Sequence, residues 1–307
     1  MAQPNIVLAG AAGDLGARIA KALIARGAAV RALVRIEVSA ADKDRLTGMG
    51  AVVAPADVAD VGPVATACEG AACVVSALNG LHDTIMDRQG VLLDGAVKAG
   101  VPRFISSDFS ADFTKTRPGD NRNLDLRREF MARADRAPIQ VTSILNGAFM
   151  DMLGAEMPII QPRIHRVLYW GSADQPLDFT TKDNVAAYVA AAALDETTPR
   201  ILRIAGDTPS ARDIAWAMTE VTGEQYHTLC AGSIGSLGVM IRVAKLVAPQ
   251  PHAAFPPWQG MQYMRDMFSG RGKLHPLDND RYPDLRWTSA REQLAAGSAS
   301  AAPRRTS

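Results

Sequence analysis

Apolar positions first appear as a short continuous run, Ile6-Val7-Leu8-Ala9, that ends at Gly10. A run of this length between turn residues predicts a strand buried on both faces. In the next stretch Ile19, Ala20, Leu23 and Ile24 recur at helical spacing, which predicts a helix over 17–26. The same exchange of periods then repeats. Apolar runs predict strands over 29–35, 50–54, 72–77, 103–107 and 140–145. Helical spacing between them predicts helices over 42–49, 61–70, 85–99 and 124–134. Strands that alternate with helices imply α/β architecture, a doubly wound parallel sheet with right-handed crossovers. The rhythm breaks near Phe149. Residues 150–180 carry Pro158, Pro162, Trp170-Gly171 and Gln175-Pro176 among short irregular apolar pieces. A helix over 182–194 and a strand over 201–205 resume the first pattern, and an amphipathic helix over 210–222 follows. Beyond Gly223 the pattern predicts a small helical lobe rich in Met, Trp and Pro. The expected organisation is therefore a nucleotide-binding unit over 1–152 to which 182–206 returns. A smaller lobe takes 153–181 and 207–295, and 296–307 is a disordered Ser/Ala/Pro/Arg tail.

Composition narrows the function classes. With 48% hydrophobic residues in 307, the chain can bury a sizeable core, which sets disorder aside. Lys and Arg total 33 against 32 Asp and Glu, so no charge excess calls for nucleic acid or an anionic membrane as partner. The three cysteines, Cys68, Cys73 and Cys230, are scattered and form no C-x-x-C, against a disulfide framework or a zinc site. His165, His227, His252 and His275 likewise lack metal spacing, so no metal is expected. Met1 to Gln3 lead straight into the first strand without a signal-peptide pattern, and the apolar stretch 234–247 is broken by Arg242 and Lys245. A cytoplasmic protein acting on a small molecule is expected, with a homodimer left open.

The stretch Gly10-Ala11-Ala12-Gly13-Asp14-Leu15-Gly16 lies between the first strand and the first helix. Gly10 allows a tight exit from the strand, Gly13 lets a diphosphate approach the backbone, and Gly16 lets the helix pack closely. The helix start adds free N–H groups and the positive end of its dipole. The spacing is G-x-x-G-x-x-G, and its alternative is a glycine-rich turn with no ligand. Where a dinucleotide-binding chain that takes NAD carries an acid after the second strand, this one reads Leu33-Val34-Arg35, with no acid before Glu37. Arg35 there suits a ribose 2′-phosphate and so NADP(H); the alternative is a solvated surface arginine. Asp57-Val58 closes the third strand, where an adenine contact falls, or else acts as a helix cap. Leu78-Asn79-Gly80 follows the fourth strand beneath the diphosphate and ribose.

These features, together with Arg31 to Arg35, Gly100 to Phe109, Leu145-Asn146-Gly147-Ala148-Phe149, Asp178 to Ala186 and Tyr282-Pro283-Asp284-Leu285-Arg286-Trp287, resemble the NmrA-like and isoflavone-reductase-like branch of the atypical short-chain dehydrogenase/reductases. Each motif is loose and their order is specific; the likeness runs to about Leu294. The resemblance implies a Rossmann-like NADP-binding domain with a variable C-terminal substrate lobe. Gly10, Ala12, Gly13, Asp14, Leu15, Gly16, Arg35, Asp57, Val58, Leu78, Asn79, Gly80, Ser106, Ser107, Asn146 and Gly147 are then cofactor-binding candidates. It also implies hydride transfer from NADPH to a small apolar or aromatic carbonyl, quinone or enone-like substrate. The alternative within the family is a non-catalytic NADP(H)-binding sensor or regulator.

The chain departs from its relatives at the proton donor. None of Tyr169, Tyr188, Tyr226, Tyr263 or Tyr282 has a Lys four residues on, which also argues against an epimerase-like reaction. In the helix after the fifth strand, isoflavone-reductase-like enzymes carry a Lys, and here Arg127-Arg128 stands nearest. A guanidinium polarises a carbonyl or holds a phosphate but does not give up a proton near neutrality. The catalytic candidates are thus Arg127 for electrostatics, His82 in the loop after the fourth strand as a general acid, and Asp108, which matches a family acid. Phe109, Phe149, Met150 and Trp170 are candidate walls of an apolar substrate pocket, with lobe core as the alternative.

Overall fold

The computed structural model describes residues 3–153 and 157–301. The nucleotide-binding half alternates as the sequence pattern predicts: β1 (Asn5–Ala9), α1 (Asp14–Ala25), β2 (Ala29–Val34), α2 (Ala40–Gly48), β3 (Val52–Pro55), α3 (Val61–Cys68) and β4 (Cys73–Ser76). A π-helical turn (Asp83–Arg88) leads into α4 (Gln89–Lys98), followed by β5 (Arg103–Ser106), α5 (Arg122–Ala134) and β6 (Gln140–Leu145). Then come β7 (Ala148–Phe149), β8 (Ile160–Gln161), β9 (Arg166–Trp170), β10 (Phe179–Thr180), α6 (Lys182–Leu194) and β11 (Ile201–Arg203). The chain ends with α7 (Ala211–Thr222), β12 (His227–Gly232), α8 (Ile234–Val247), α9 (Pro257–Phe268) and α10 (Ala290–Ala301).

Seven parallel strands form one Rossmann-like sheet in the order β11-β6-β5-β4-β1-β2-β3. Both faces of the inner strands are covered, which is why β1 and β4 are apolar along most of their length instead of alternating. On β1, Ile6 and Leu8 face a core with Ile19 and Leu23 of α1 and Val189 of α6. Val7 and Ala9 face the opposite core with Val64, Leu92, Phe104 and Phe130. The strand order reverses between β1 and β4, and the crevice at such a switch point is where doubly wound folds bind ligands.

A second core holds the lobe, with Met150, Ile159, Trp170, Ile214, Leu237, Met264 and Phe268. It is not purely helical as expected beyond Gly223: β12 pairs with β9 in parallel and β9 with β8 antiparallel, a three-stranded sheet. Of the six residues of β12 none is buried, so no apolar stripe announced it. The helix expected over 85–99 starts with the π-helical turn, and directly after it Gln89 is fully buried and its side-chain Oε1 accepts the Ser107 amide at 3.0 Å. Residues after the lobe helices return to the first domain: Tyr282, Leu285 and Trp287 pack on its core. Asp278 exchanges two hydrogen bonds with the Arg203 backbone on the open edge of β11, at 2.7 and 2.8 Å. Helix α10 runs through the first residues of the segment expected as a tail, and residues 302–307 lie outside those described. Among the described residues no helix is long and apolar enough to cross a membrane.

Candidate active site

The first strand delivers the three glycines to the crevice, and they differ in what the fold asks of them. Gly10 has φ +83°, and a Cβ there would lie 2.6 Å from the Ala77 carbonyl oxygen, where the chain leaves the adjacent β4. A Cβ on Gly16 would lie 2.0 Å from the Gly10 carbonyl oxygen, so α1 sits directly on the turn. Gly13, the N-cap of α1, has an ordinary extended backbone, and a Cβ on it would meet only the Gly10 oxygen at 3.4 Å. Nothing among the described residues requires a glycine at that exposed position. Space left open at a helix N-terminus is what a phosphate-binding turn needs, so these residues fit a dinucleotide diphosphate.

Around this turn the structure brings together Gly10, Ala12, Gly13, Leu15, exposed Arg35 directly after β2, Asp57 and Val58 after β3, and Leu78, Asn79 and Gly80 after β4. All lie at the carboxyl ends of β1 to β4. Asp57 tightens its own turn by accepting the Ala59 amide at 2.9 Å, while Asp60 caps α3. Asp14 points away from the turn to Arg18 and Lys182, both at 2.8 Å. Those two bonds, Lys182 first, hold its carboxyl below the usual range. One cation escaped the sequence reading: Arg45 on α2 donates to the Ala12 carbonyl in the glycine turn at 2.7 Å. Its signal was only a basic residue in a polar helix.

The candidates after β5 and β6 are buried instead. Ser107 donates to the Leu78 carbonyl at 2.6 Å and joins two crevice loops. Ser106 and Ser143 both donate to one oxygen of Asp108, and Arg200 donates to the Ser143 hydroxyl at 2.8 Å. Asp108 is 0% exposed, its other oxygen has no partner, and burial pushes its carboxyl up. Asn146 is equally buried and its side-chain amide is unpartnered at both ends. Gly147 has φ +70°, and a Cβ there would reach within 2.3 Å of the Asp178 carbonyl oxygen, a reason internal to the fold.

Of the three catalytic candidates only Arg127 and Asp108 come near each other, the Arg127 charge acting on the buried Asp108 carboxyl, and His82 stands apart. Arg127 is 6% exposed and its guanidinium donates to the Asn123 carbonyl at 3.1 Å, beneath α5. Arg128 pairs with Asp125 at 2.6 Å and holds the Thr116 carbonyl. His82 stands exposed at the start of the π-helical turn, with Asp87 3.6 Å away. Phe109 and Phe149 pack with the sheet core. Met150 and Trp170 lie inside the lobe core, Trp170 tilted at 59° against the Phe268 ring with centroids 5.7 Å apart, and not on an open wall. A recess lies beside Gly147, lined by Leu177, Asp178, Met267, Gly272 and Lys273, none of them among the candidate site residues of the sequence. Its volume of about 10 Å³ is room for one water molecule, so it is a notch in the surface and not a closed substrate pocket. Among the described residues no cluster of His, Cys, Asp and Glu is placed to hold a metal ion.

Several solved structures share this fold. AtPrR2 with NADP+ and (+)pinoresinol superposes with a TM-score of 0.81 at 20% identity, covering 96% of this chain and 99% of that one. An isoflavone reductase gives 0.79 at 18% identity, covering 96% and 100%. A new type of NADPH-dependent quinone oxidoreductase (QOR2) from Escherichia coli gives 0.72 at 18% identity, covering 95% and 98%. No curated protein sequence matches the chain. The family model described as NmrA-like matches residues 2–231, three quarters of the sequence and all seven strands of the parallel sheet, and by that match the chain belongs to the NmrA-like family.

Proposed function

We propose that this chain is an NADPH-dependent reductase of a small apolar or aromatic carbonyl, quinone or enone-like substrate. The observation that carries the reading is Gly13: the fold demands its neighbours Gly10 and Gly16, while the bareness of Gly13 serves only something that approaches from outside. In this reading the N–H groups that open α1 hold the diphosphate, and Arg45 beside Ala12 adds positive charge to the same turn. Arg35, in the place of an acid, takes the 2′-phosphate. Support also comes from the similar structures described with NADP+ or as NADPH-dependent. When bound, the dihydronicotinamide supplies a hydride. The protein's share is to exclude water, hold the acceptor and furnish a proton. All three cysteines are free, in keeping with a cytoplasmic setting.

One observation favours a second reading, a sensor that binds the dinucleotide without turnover. Arg127 and Asp108 are both buried, so neither reaches a substrate as a proton donor. Two measurements separate the readings. Calorimetry should find NADPH bound at least about tenfold tighter than NADH, the equivalent of ~1.4 kcal/mol, with Arg35→Ala erasing most of that gap. Rapid mixing of the NADPH complex with quinones, enones and aromatic ketones should then bleach the NADPH absorbance with at least one of them. Tight NADPH binding with no oxidation by any compound would leave the sensor.

A further inference from the structure

We infer that Lys273 is the proton donor of this site, an inference that rests on the reductase reading above. Lys273 lines the recess beside Gly147, at the carboxyl ends of β5 and β6, with Leu177 and Met267 as apolar neighbours. Ligands of doubly wound sheets bind at this edge. Lys273 supplies the only ammonium among the recess residues, in a chain that has neither the Tyr-x-x-x-Lys pair nor a Lys in α5. One of its N–H bonds goes to Asp178, and the others meet no acceptor among the described residues.

The backbone around Lys273 is held by hydrogen bonds with Asp112, Lys115 and Asp178. The Asp112 amide donates to the Gly272 carbonyl at 3.0 Å. The Lys115 ammonium donates to the carbonyls of Lys273 and His275, each at 3.0 Å. The Leu274 amide donates to Asp178 at 2.8 Å, and Leu274 is buried with Phe113, Leu124 and Leu145. One lysine thus serves as a strut that fixes the position of another, and the same Asp178 fixes both the backbone and the ammonium. This is the preorganisation a proton donor needs.

The chemistry balances with the reductant already named. The carbonyl carbon gains a hydride from the dihydronicotinamide, the π pair moves to oxygen, and that oxygen takes a proton from the Lys273 ammonium. Lys273 is left as a neutral amine and regains its proton from water. A quinone needs this proton less, because its reduced form is a stabilised phenolate.

The test has one arm without cofactor and one with it. The probe for the first is 4-nitrophenol, whose phenolate mimics the developing oxyanion and absorbs visibly. The intact protein should bind the phenolate in preference to the phenol and lower its apparent pKa. Lys273→Met should lose this preference about tenfold or more, and Lys273→Arg, which keeps the charge and the Asp178 partner, should retain it. In the second arm Lys273→Arg should slow reduction of ketones and aldehydes by roughly 10²–10⁴-fold, the worth of a general acid, and slow quinone reduction at least about tenfold less than that. A purely structural pair would affect both substrate classes alike, so equal effects overturn the assignment. Unchanged nitrophenolate binding in Lys273→Met overturns it as well, with the reductase reading intact. If the intact protein oxidises NADPH with no compound, the reductase reading fails and the proton transfer fails with it, even where nitrophenolate still binds.

Discussion

At the scale of residues, the glycine turn separates what folds the chain from what the chain binds. Gly13→Val places a branched side chain over the α1 N-terminus at an exposed position where its Cβ meets only the Gly10 oxygen, so the thermal midpoint should stay within a few degrees. Dinucleotide binding, followed by calorimetry, should disappear. Gly16→Ala should behave in the opposite way. Its Cβ would sit 2.0 Å from a backbone oxygen, and overpacking of this kind costs roughly 1–3 kcal/mol, which a denaturant titration would register as a lower midpoint. Were Gly13→Val to bind NADPH normally, the turn would be structural and the reading built on it would fall. The sequence placed all three glycines in a strand-to-helix turn but had no means to rank them, because the clashes come from the chain folding back on its own carbonyls.

At the scale of elements, α9 is seated on the start of α5 by buried polar groups. Asn121, the N-cap of α5, accepts from the Leu124 amide and from Gln259 of α9, and its own amide donates to Asp266 of α9 at 2.9 Å. Asp266 is 1% exposed, and burial raises its pKa from 3.8 to about 6, against the opposing bond from Asn121 and the charge of Arg265. Because the folded state holds this proton more tightly than the unfolded one, the group leaves stability untouched below its ordinary value. Stability then falls as pH rises from about 4, and the loss is complete above about 6. Asp266→Asn keeps an acceptor for Asn121 and removes the charge. It should gain up to about 2–3 kcal/mol over the intact protein at pH 8, and little or nothing at pH 4. Thermal melts of both proteins across that range decide it: a gain that does not depend on pH would show that Asp266 is not the titrating group. The sequence showed α5 by its helical spacing and α9 only as part of a helical lobe, and it did not show their pairing, since residues 121 and 266 are far apart along the chain.

At the scale of the whole molecule, one buried carboxylate ties sheet, loop and lobe together. Asp112, in the loop after β5, is 0% exposed and receives Arg203 of β11 at 2.7 Å, with Lys115 at 3.4 Å. Burial pushes its carboxyl up, and the bonds from Thr114 and Arg203 together with the two cations more than reverse this, leaving it below its ordinary range. The same Lys115 reaches across to the segment that carries Lys273. Arg203→Met should strand much of that charge and cost about 3 kcal/mol, the low end for a broken buried pair because Lys115 remains. The double variant Arg203→Met/Asp112→Asn should recover most of the loss in denaturant titrations. No recovery would mean that the arginine acts through packing and not through its charge.

What the sequence determined by itself was the part governed by local periodicity. Continuous apolar runs and helical spacing are set by neighbours a few residues apart, and they specified β1 to β6, α1 to α6 and the parallel sheet, with boundaries off by only a few residues. The glycine turn and the missing acid after β2 were local as well, and with them the expected cofactor. Tertiary structure alone decided the rest. Strand β12 exists because β9, more than fifty residues earlier, supplies its hydrogen bonds, and a strand without a buried residue leaves no mark in the hydrophobic pattern. Arg127, Asp108, Met150 and Trp170 had suitable chemistry at suitable positions, but burial is a property of what packs over a residue, and the fold covered all four. Lys273 was one of seven lysines until Asp112 and Lys115 from the loop after β5, and Asp178 from just before β10, closed around it.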